Sequence, residues 1–214
     1  PQVPTPTFAV LADWNQGDGM LGVWASIQMP NYPEQSARAL GIPVNCVRVH
    51  FDIDVGGSYG VKRGIRQTII AAYLSRKLNR PVRFIEDRLE NMSGGDAHGP
   101  DRIFDISMAY EDDGTVRSIR IRAIDDVGCY PGRAPLQLGK PVSAICGPYR
   151  VNSIQYQAVS VSINKTSEEA VRGFGQAPTN FALETGIDRI ARRLGLERDE
   201  VRRRNLIRAD EFPY

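Results

Sequence analysis

The segment CVRVHFDIDVGGSYGVKRGIRQTIIAAYLSRKL, residues 46–78, passes from a strand pattern to a helix pattern through a glycine-rich turn. Apolar and polar residues alternate over residues 46–55, which is typical of a half-buried strand. The second half predicts a helix from Ile65 to Leu78. One face of this helix carries Ile65, Ile69, Ala72 and Tyr73. Because glycine lets the backbone approach a neighbouring group closely, the turn DVGGSYGVKRG, residues 54–64, predicts a binding site or a tight packing point.

The remaining patterns predict an α+β fold with mixed sheets and packed helices, because strands and helices occur together without strict alternation. Predicted strands lie at residues 7–14, 20–28, 80–87 and 153–164, and a predicted hairpin over 103–128 turns at the DDG of residues 112–114. Predicted helices lie at residues 32–41, 178–195 and 198–207. We expect at most two sub-lobes, of about residues 1–95 and 96–214.

Composition excludes several classes of protein. The chain has 214 residues and a net charge of +2, which argues against a polyanionic partner such as nucleic acid. The basic cluster RIARRLGLERDEVRRRN, residues 189–205, is interleaved with acidic and apolar residues and predicts solvated helix faces. No apolar run approaches the roughly 20 residues of a membrane span. The opening residues, PQVPTPTFAV, carry no charged targeting region and are interpreted as the trimmed start of a longer chain.

The cysteines and histidines predict no metal centre built by this chain's own side chains. Cys46, Cys129 and Cys146 are far apart and form no CxxC pair, so we expect buried, reduced thiols in a cytoplasmic protein. His50 and His98 match no ligand spacing. Because His50 falls in an alternating strand, we expect it to be structural.

The glycine-rich turn matches one of four generic binding or catalytic motifs. The phosphate-binding G-x-x-x-x-G-K-[ST], the dinucleotide motif G-x-G-x-x-G and the calcium loop all fail. Gly56–Gly60 does match G-x-S-x-G, the nucleophile elbow of serine hydrolases, with Ser58 as the nucleophile. Only His98 follows as a base, with Asp87 and Asp96 between, which leaves little chain to build such a sheet. A serine hydrolase is therefore a weaker alternative.

Five segments, in order along the chain, resemble the molybdopterin-binding large subunit of the xanthine oxidase family, which includes aldehyde oxidases and aerobic carbon monoxide dehydrogenases. They are VWASIQMPNY at 23–32, DVGGSYGVK at 54–62, RPVRFIEDRLENM at 80–92, GPYRV at 147–151 followed by NKTSEEAVRGFGQAP at 164–178, and ALETGIDRIARRLGLERDEVRRRNLI at 182–207. The resemblance covers only the central portion of such a subunit. It implies the first molybdopterin-binding domain of a molybdenum hydroxylase.

The resemblance implies roles for individual residues. Gln28 matches the glutamine that hydrogen-bonds an oxo ligand of molybdenum, and Arg172 is the second catalytic candidate. Backbone amides near the metal and the pyranopterin are implied for Gly56, Gly57, Ser58, Tyr59 and Gly60, and for Arg172, Gly173, Phe174 and Gly175. Small residues suit this role independently, because they let N–H groups reach an anionic ligand.

Four positions are implied to face the substrate. Phe174 matches an aromatic residue that packs on it. Arg63 stands where purine-hydroxylating members carry a glutamate and favours an acidic substrate, and Lys140 stands near an arginine of those members. Val171 replaces an aromatic residue, which widens the pocket. The loop EAVRGFGQ lacks the cysteine of the carbon monoxide dehydrogenases, which disfavours that activity.

The implied reaction is hydroxylation of an aldehyde or an aromatic N-heterocycle with water as the oxygen source. The implied cofactor is molybdenum-molybdopterin in its cytosine dinucleotide form, anchored largely by a partner chain, with [2Fe-2S] and FAD groups on partner subunits. The family's catalytic glutamate, in a G-x-G-E segment, has no counterpart here, so catalysis requires the missing C-terminal portion or a partner chain. A non-catalytic assembly module of such a complex is the alternative from another class.

Overall fold

The structure is a computed structural model that describes residues 3–94, 99–132 and 134–214. The chain divides into two units, Pro1–His98 and Gly99–Tyr214. The first contains β1 (Ala9–Asn15), β2 (Met20–Ala25), α1 (Tyr32–Leu40), β3 (Val47–His50), α2 (Arg66–Leu78), β4 (Val82–Ile85) and α3 (Arg88–Ser93). The second contains β5 (Arg102–Tyr110), β6 (Val116–Asp126), α4 (Ala134–Gly139), β7 (Ser153–Val161), α5 (Gln176–Leu194) and α6 (Arg198–Asn205). Mixed sheets with packed helices confirm the predicted α+β class.

The first unit is built on a four-stranded sheet in the order β3-β2-β1-β4. β1 pairs antiparallel with both β2 and β4, whereas β2 and β3 run parallel. Alternation in β1 and β2 buries one face of the sheet, as the sequence pattern predicts. The core on that face includes Phe8, Val10, Ala12, Leu21 and Val23.

α2 packs on this sheet through small residues, and the predicted face is partly wrong. Its buried positions are Thr68, Ala71, Ala72 and Ser75, at helical spacing. Small side chains let the helix lie close to β1, where the Ser75 hydroxyl accepts a hydrogen bond from the Trp14 amide at 2.9 Å. Tyr73, predicted to lie on the buried face, is 58% exposed, because one residue beyond Ala72 turns about 100° away from the sheet.

The strand that leads into the glycine-rich turn is shorter than its pattern predicts. β3 ends at His50, and residues 51–55 continue without strand pairing. Phe51 and Ile53 are exposed although they keep the apolar alternation. In the register of β2 and β3, Trp24 opposite His50 is the last pair, one residue before β2 ends, so beyond it the segment has no partner. The segment that carries the glycines is therefore backbone outside any sheet.

The second unit is a three-stranded sheet in the order β5-β6-β7, covered by α5. β5 and β6 form the predicted hairpin, and β7 runs parallel to β6. α5 ends at Gly195 in a left-handed conformation, as its sequence predicts. The core of this unit joins sheet and helix through Ile119, Ile121, Leu183, Ile187 and Ile190.

All three cysteines are free, but the prediction that they are buried is wrong. Cys46 and Cys146 are half-buried, and Cys129 is exposed because it lies in the connection that leaves the sheet after β6. The His50 ring stacks on that of Trp24 with centroids 4.3 Å apart, which is a packing role. In the part of the chain that the structure describes, no helix is both long and apolar enough to cross a bilayer.

Candidate functional site

The glycine-rich turn holds an unusual backbone conformation. Positive φ angles occur at Gly56 (60°), Gly57 (96°), Tyr59 (49°) and Gly60 (90°). A side chain at Gly56 would bring its Cβ within 2.6 Å of Pro6 Cδ and closer still to Pro6 Cγ. Only glycine fits there, because the turn rests directly on the segment that precedes β1.

The turn presents a row of hydrogen-bond donors. Within residues 3–94, the backbone amides of Gly56 to Gly60 have no acceptor, whereas the next amides do: Val61 N–H donates to the Ser58 carbonyl at 3.1 Å. Gly56, Gly57 and Tyr59 are exposed. Successive unpaired N–H groups in a turn of positive φ angles are suited to an anionic group. The backbone therefore fits the phosphate-bearing cofactor that the sequence resemblance implies.

A buried lysine, Lys62, binds the backbone at the start of the turn. The Lys62 side chain is fully buried, and its ammonium donates to the carbonyl of Val55. Burial lowers the pKa of Lys62, while the nearby Glu86 carboxylate acts in the opposite direction and favours the charged form. Glu86 also has a partner, because its carboxylate accepts a hydrogen bond from the Asn91 side-chain amide at 2.7 Å. Lys62 is not among the residues that the sequence predicts for the site.

Lys62 also links Gln28 to the turn. The backbone amide of Gln28 donates to the backbone carbonyl of Lys62 at 3.3 Å. Ile27 and Met29 are buried on either side, so the alternation turns the Gln28 side chain outward, where it is exposed. The structure thus joins two of the predicted elements, Gln28 and the glycine turn.

Ser58 and Asp87 have structural partners. Ser58 is buried, and its hydroxyl accepts a hydrogen bond from the Lys62 amide at 3.3 Å. Asp87 is the N-cap of α3, where its carboxylate accepts from the Glu90 amide at 2.7 Å. The other residues of the serine hydrolase alternative, Asp96 and His98, lie outside the described residues.

Arg63 closes the 3₁₀ turn Val61–Arg63 that follows the glycines. Its amide donates to the Gly60 carbonyl at 3.1 Å, and its side chain is half-buried. Arg63 therefore lies next to the donor row, and its role towards a substrate stays a prediction.

The second unit carries the other predicted residues, with Lys140 directly after α4 and residues 171–175 on the loop before α5. Lys140 and Phe174 are brought together, with the ammonium 5.2 Å from the centre of the aromatic ring. Val171 is half-buried and Arg172 is exposed. A Cβ on Gly175 would lie 2.7 Å from the Gln137 carbonyl oxygen, so α4 presses directly on this turn.

The amides of this second turn are also available as donors. Among the residues that the structure describes, the amides of Arg172, Gly173, Phe174 and Gly175 have no acceptor, and the turn leads into the 19-residue helix α5. The start of a helix and unpaired N–H groups both favour an anion. This turn therefore fits an anionic cofactor by the same criterion as the glycine turn.

Three buried charged residues behind this loop were missed by the sequence analysis. The Arg102 guanidinium pairs with Asp125 at 3.0 Å and with Glu168 at 3.3 Å, and all three side chains are almost inaccessible to solvent. Burial, followed by the charge of Asp125, raises the pKa of Glu168 to about 8. Arg102 and Asp125 occupy strand positions in phase with core residues, a signal that marks buried charge.

Over residues 3–94, 99–132 and 134–214, no group of three His, Cys, Asp or Glu side chains is arranged to hold a metal ion. Gln28, the glycine turn and Arg63 belong to the first unit. Lys140, Val171 and the loop 172–175 belong to the second. Each unit, taken by itself, therefore carries one set of backbone donors with adjacent polar side chains.

Comparison with known proteins gives consistent matches. A family model described as "Molybdopterin cofactor-binding domain" matches residues 1–206. The 6-hydroxypseudooxynicotine dehydrogenase complex subunit gamma of Paenarthrobacter nicotinovorans is 29% identical over 214 residues, covering 99% of this chain and 27% of that subunit. A probable xanthine dehydrogenase chain of Bacillus subtilis (strain 168) is 33% identical over 172 residues, covering 80% of this chain and 23% of that protein.

Among solved structures, quinoline 2-oxidoreductase from Pseudomonas putida 86 superimposes with a TM-score of 0.88 at 34% identity, covering 99% of this chain and 27% of that one. The chain thus spans about a quarter of the length of the relatives it matches. These matches confirm the resemblance drawn from the sequence motifs, including its restriction to part of a larger protein.

Proposed function

Because the chain belongs to the molybdopterin cofactor-binding domain family, we propose that it is part of a molybdenum hydroxylase that oxidises an aldehyde or an aromatic N-heterocycle with water as the oxygen source. The observation that carries this proposal is the row of unpaired amides from Gly56 to Gly60, joined to Gln28 through Lys62. A non-catalytic copy of the fold has no need of an exposed backbone that binds no part of its own chain.

The chain's own residues bind and orient the cofactor. The amides of Gly56–Gly60 and of residues 172–175 donate to its anionic groups, and the exposed Gln28 amide donates without adding charge. Arg172 adds a positive charge near that backbone. The molybdenum cofactor, when bound, supplies the two-electron oxidation. The fixed positions of the donors mean that little reorganisation is needed on binding.

The side chains next to these donors favour an aromatic, acidic substrate. Phe174 offers a ring for stacking, and the cation of Lys140 lies over it. Arg63 places a second cation next to the glycine turn. We therefore favour a carboxylated N-heterocycle. Further support is that one relative is named for quinoline, an N-heterocycle.

Catalysis requires more protein than this chain. The chain spans 27% of the 6-hydroxypseudooxynicotine dehydrogenase subunit and contains no counterpart of the catalytic glutamate segment. We propose that the remaining molybdopterin-binding portion, a [2Fe-2S] subunit and an FAD subunit complete the enzyme, which works in the cytoplasm with the cofactor in its cytosine dinucleotide form. The name "complex subunit gamma" of that relative supports a multi-subunit assembly.

The test is metal and pterin analysis of the native complex purified through this chain. Molybdenum is measured by plasma mass spectrometry and the pterin by fluorescence after oxidation. We expect about one molybdenum atom per copy of this chain, as the one-site stoichiometry of the proposal requires. A complex that contains all its partner polypeptides and no molybdenum would favour the assembly module instead.

A matched pair of variants ties the cofactor to the turn. Gly57→Ala places a methyl group in the donor row at a φ of 96°, whereas Gly41→Ala changes a glycine with a φ of 68° at the end of α1. Both substitutions put a side chain at positive φ, so the control also carries backbone strain. We expect molybdenum occupancy to fall in Gly57→Ala alone, and equal occupancy in the two variants would contradict the assignment of the turn.

A further inference from the structure

The turn around Phe174 is fixed by three successive carbonyl groups. The Gly173 carbonyl accepts from the Ala177 amide at 2.8 Å, and the Gly175 carbonyl accepts from the Thr179 hydroxyl at 3.0 Å. Both of these bonds tie the turn to α5. The Phe174 carbonyl between them accepts from Arg102 Nη1 at 2.9 Å, and Arg102 belongs to β5. This central bond therefore ties the turn to the sheet.

The Arg102 guanidinium makes two ion pairs besides its hydrogen bond to Phe174. Its Nε pairs with Asp125 on β6 and its Nη2 with Glu168 in the segment between β7 and α5. A planar guanidinium that is held at two edges aims its third edge in a fixed direction. The Phe174 carbonyl lies in that direction.

The charge balance of the cluster depends on one proton. Arg102 supplies one positive charge against two buried carboxyl groups, those of Asp125 and Glu168. The groups that face Glu168 are Arg102 from β5, Asp125 from β6 and Glu169 from its own segment, and Tyr156 on β7 faces Arg102 and Asp125. Because burial and the Asp125 charge raise its pKa to about 8, Glu168 is protonated at neutral pH and ionises above it.

We propose that Arg102 is a positioning residue for the substrate-facing turn, in which its hydrogen bond to the Phe174 carbonyl fixes the ring beside Lys140. The assignment of the turn to substrate rests on the proposed function, whereas the hydrogen bond itself does not. When Glu168 ionises, Arg102 is drawn towards the carboxylates, and the bond to Phe174 weakens. The geometry of the turn is thus linked to the protonation of a group that does not touch it.

The test observes the Phe174 carbonyl directly. Phe174–Gly175 is the single Phe-Gly pair in the sequence, so labelling with ¹³C′-phenylalanine and ¹⁵N-glycine gives one cross-peak in an HNCO spectrum. The deuterated full chain is measured in the complex with which it purifies, from pH 6 to pH 9.5. We expect the ¹³C′ resonance to move to lower ppm as Glu168 ionises, and Glu168→Gln to abolish that movement.

Arginine variants separate positioning from general packing. Arg102→Met should shift the Phe174 carbonyl resonance to lower ppm at all pH values, and Arg102→Lys, which keeps the charge and a donor, should restore part of the shift. Arg192→Met, on the exposed face of α5, is the matched control and should leave the resonance in place. A Phe174 resonance that is the same in Arg102→Met and the unmodified chain would overturn the proposal.

The proposal can still be tested if Arg102→Met does not fold or if the complex contains no molybdenum. If Arg102→Met does not fold, the comparison of the unmodified chain with Glu168→Gln decides alone, and identical pH titrations of the Phe174 carbonyl would overturn the proposal. The resonance is read whether or not molybdenum is bound. A complex without molybdenum therefore defeats the proposed function and leaves the role of Arg102 standing or falling on the carbonyl shift.

Discussion

The glycine turn of the first unit and the Phe174 turn of the second are each held by a hydrogen bond from a buried cation, a lysine in one and an arginine in the other. In both turns the amides have no acceptor among the described residues, and in both a carbonyl group accepts a hydrogen bond from a buried cation. Lys62 does this for Val55, and Arg102 does it for Phe174. The lysine has Glu86 as a nearby but separate carboxylate, whereas the arginine pairs directly with Asp125 and Glu168.

Because their cations differ, the two turns are expected to respond differently to substitution and to pH. Burial lowers the pKa of Lys62, so its hydrogen bond to Val55 depends on a charge that burial disfavours. Beside Arg102 the group whose pKa is shifted is Glu168, because burial and the charge of Asp125 raise that pKa to about 8. The first turn is therefore sensitive to loss of its cation, and the second to the ionisation of a neighbouring carboxyl group.

The largest effect expected of a single substitution is that of Lys62→Met. The substitution leaves the Val55 carbonyl without its donor and removes the charge that faces Glu86, so we expect the first unit to lose about 3 kcal/mol of unfolding free energy. Both tryptophans, Trp14 and Trp24, lie in this unit, so fluorescence in urea reports its unfolding. Lys77→Met, at an exposed position of α2, is the control and should change the free energy by less than about 0.5 kcal/mol.

The next effect is the pH dependence of the second unit. A carboxyl pKa raised from 4.5 to about 8 on folding means that the folded chain binds more protons than the unfolded chain between these values. The stability that this one group contributes is therefore fullest below pH 4.5 and falls as the pH rises towards 8, by up to about 1.4 kcal/mol per pH unit. Hydrogen exchange of peptides from β6 and α5 measures this slope.

Glu168→Gln supplies the comparison, because the amide cannot ionise. We expect the protection of these peptides to lose most of its dependence on pH between about 5 and 8 in that variant. An unchanged slope would show that another group is responsible. Peptides from the first unit should have the same slope in both chains.

A smaller effect is expected from Gly56→Ala. The new methyl group meets Pro6 in a backbone of positive φ, so we expect a loss of about 2 kcal/mol in the first unit by tryptophan fluorescence. Pro6→Ala in the same chain should restore part of the loss by removing the ring. Gly41→Ala has similar φ and open space around it, and should cost only about 1 kcal/mol.

The smallest effect concerns the Lys140–Phe174 pair. Lys140 is exposed, so a double-mutant cycle with Lys140→Met and Phe174→Leu should give a coupling of about 0.5 kcal/mol in the stability of the second unit. A coupling near zero would show that the lysine is free to face a substrate instead. Substrate affinity in the loaded complex would then be the more sensitive measurement.

Local signals predicted much of the fold. α1 begins next to Pro33 and ends at Gly41, and the β5–β6 hairpin turns at residues 112–114, because these residues restrict the backbone wherever they occur. The end of β3 could not be predicted in this way. Residues 51–55 continue the alternating pattern, and only the length of β2 determines that they have no partner.

The backbone positions of the site followed from motifs, but their supports did not. Gln28 and Gly56–Gly60 are recognisable because their spacing is local. Lys62 and Arg102 support the turns through contacts with segments distant in sequence, and a cation in a sequence is normally assumed to be solvated. The one available signal was the position of Arg102 and Asp125 in phase with core residues of their strands.

A recognition surface made of main chain has an evolutionary consequence. The amides from Gly56 to Gly60 do not change when the neighbouring Arg63 side chain is exchanged, and the amides of residues 172–175 do not change when Val171 is exchanged. Under the proposed function, new substrate preferences are therefore accessible by single replacements beside a constant main chain. Substitution of Gly56 is disfavoured, because Pro6 occupies the space that any side chain would need.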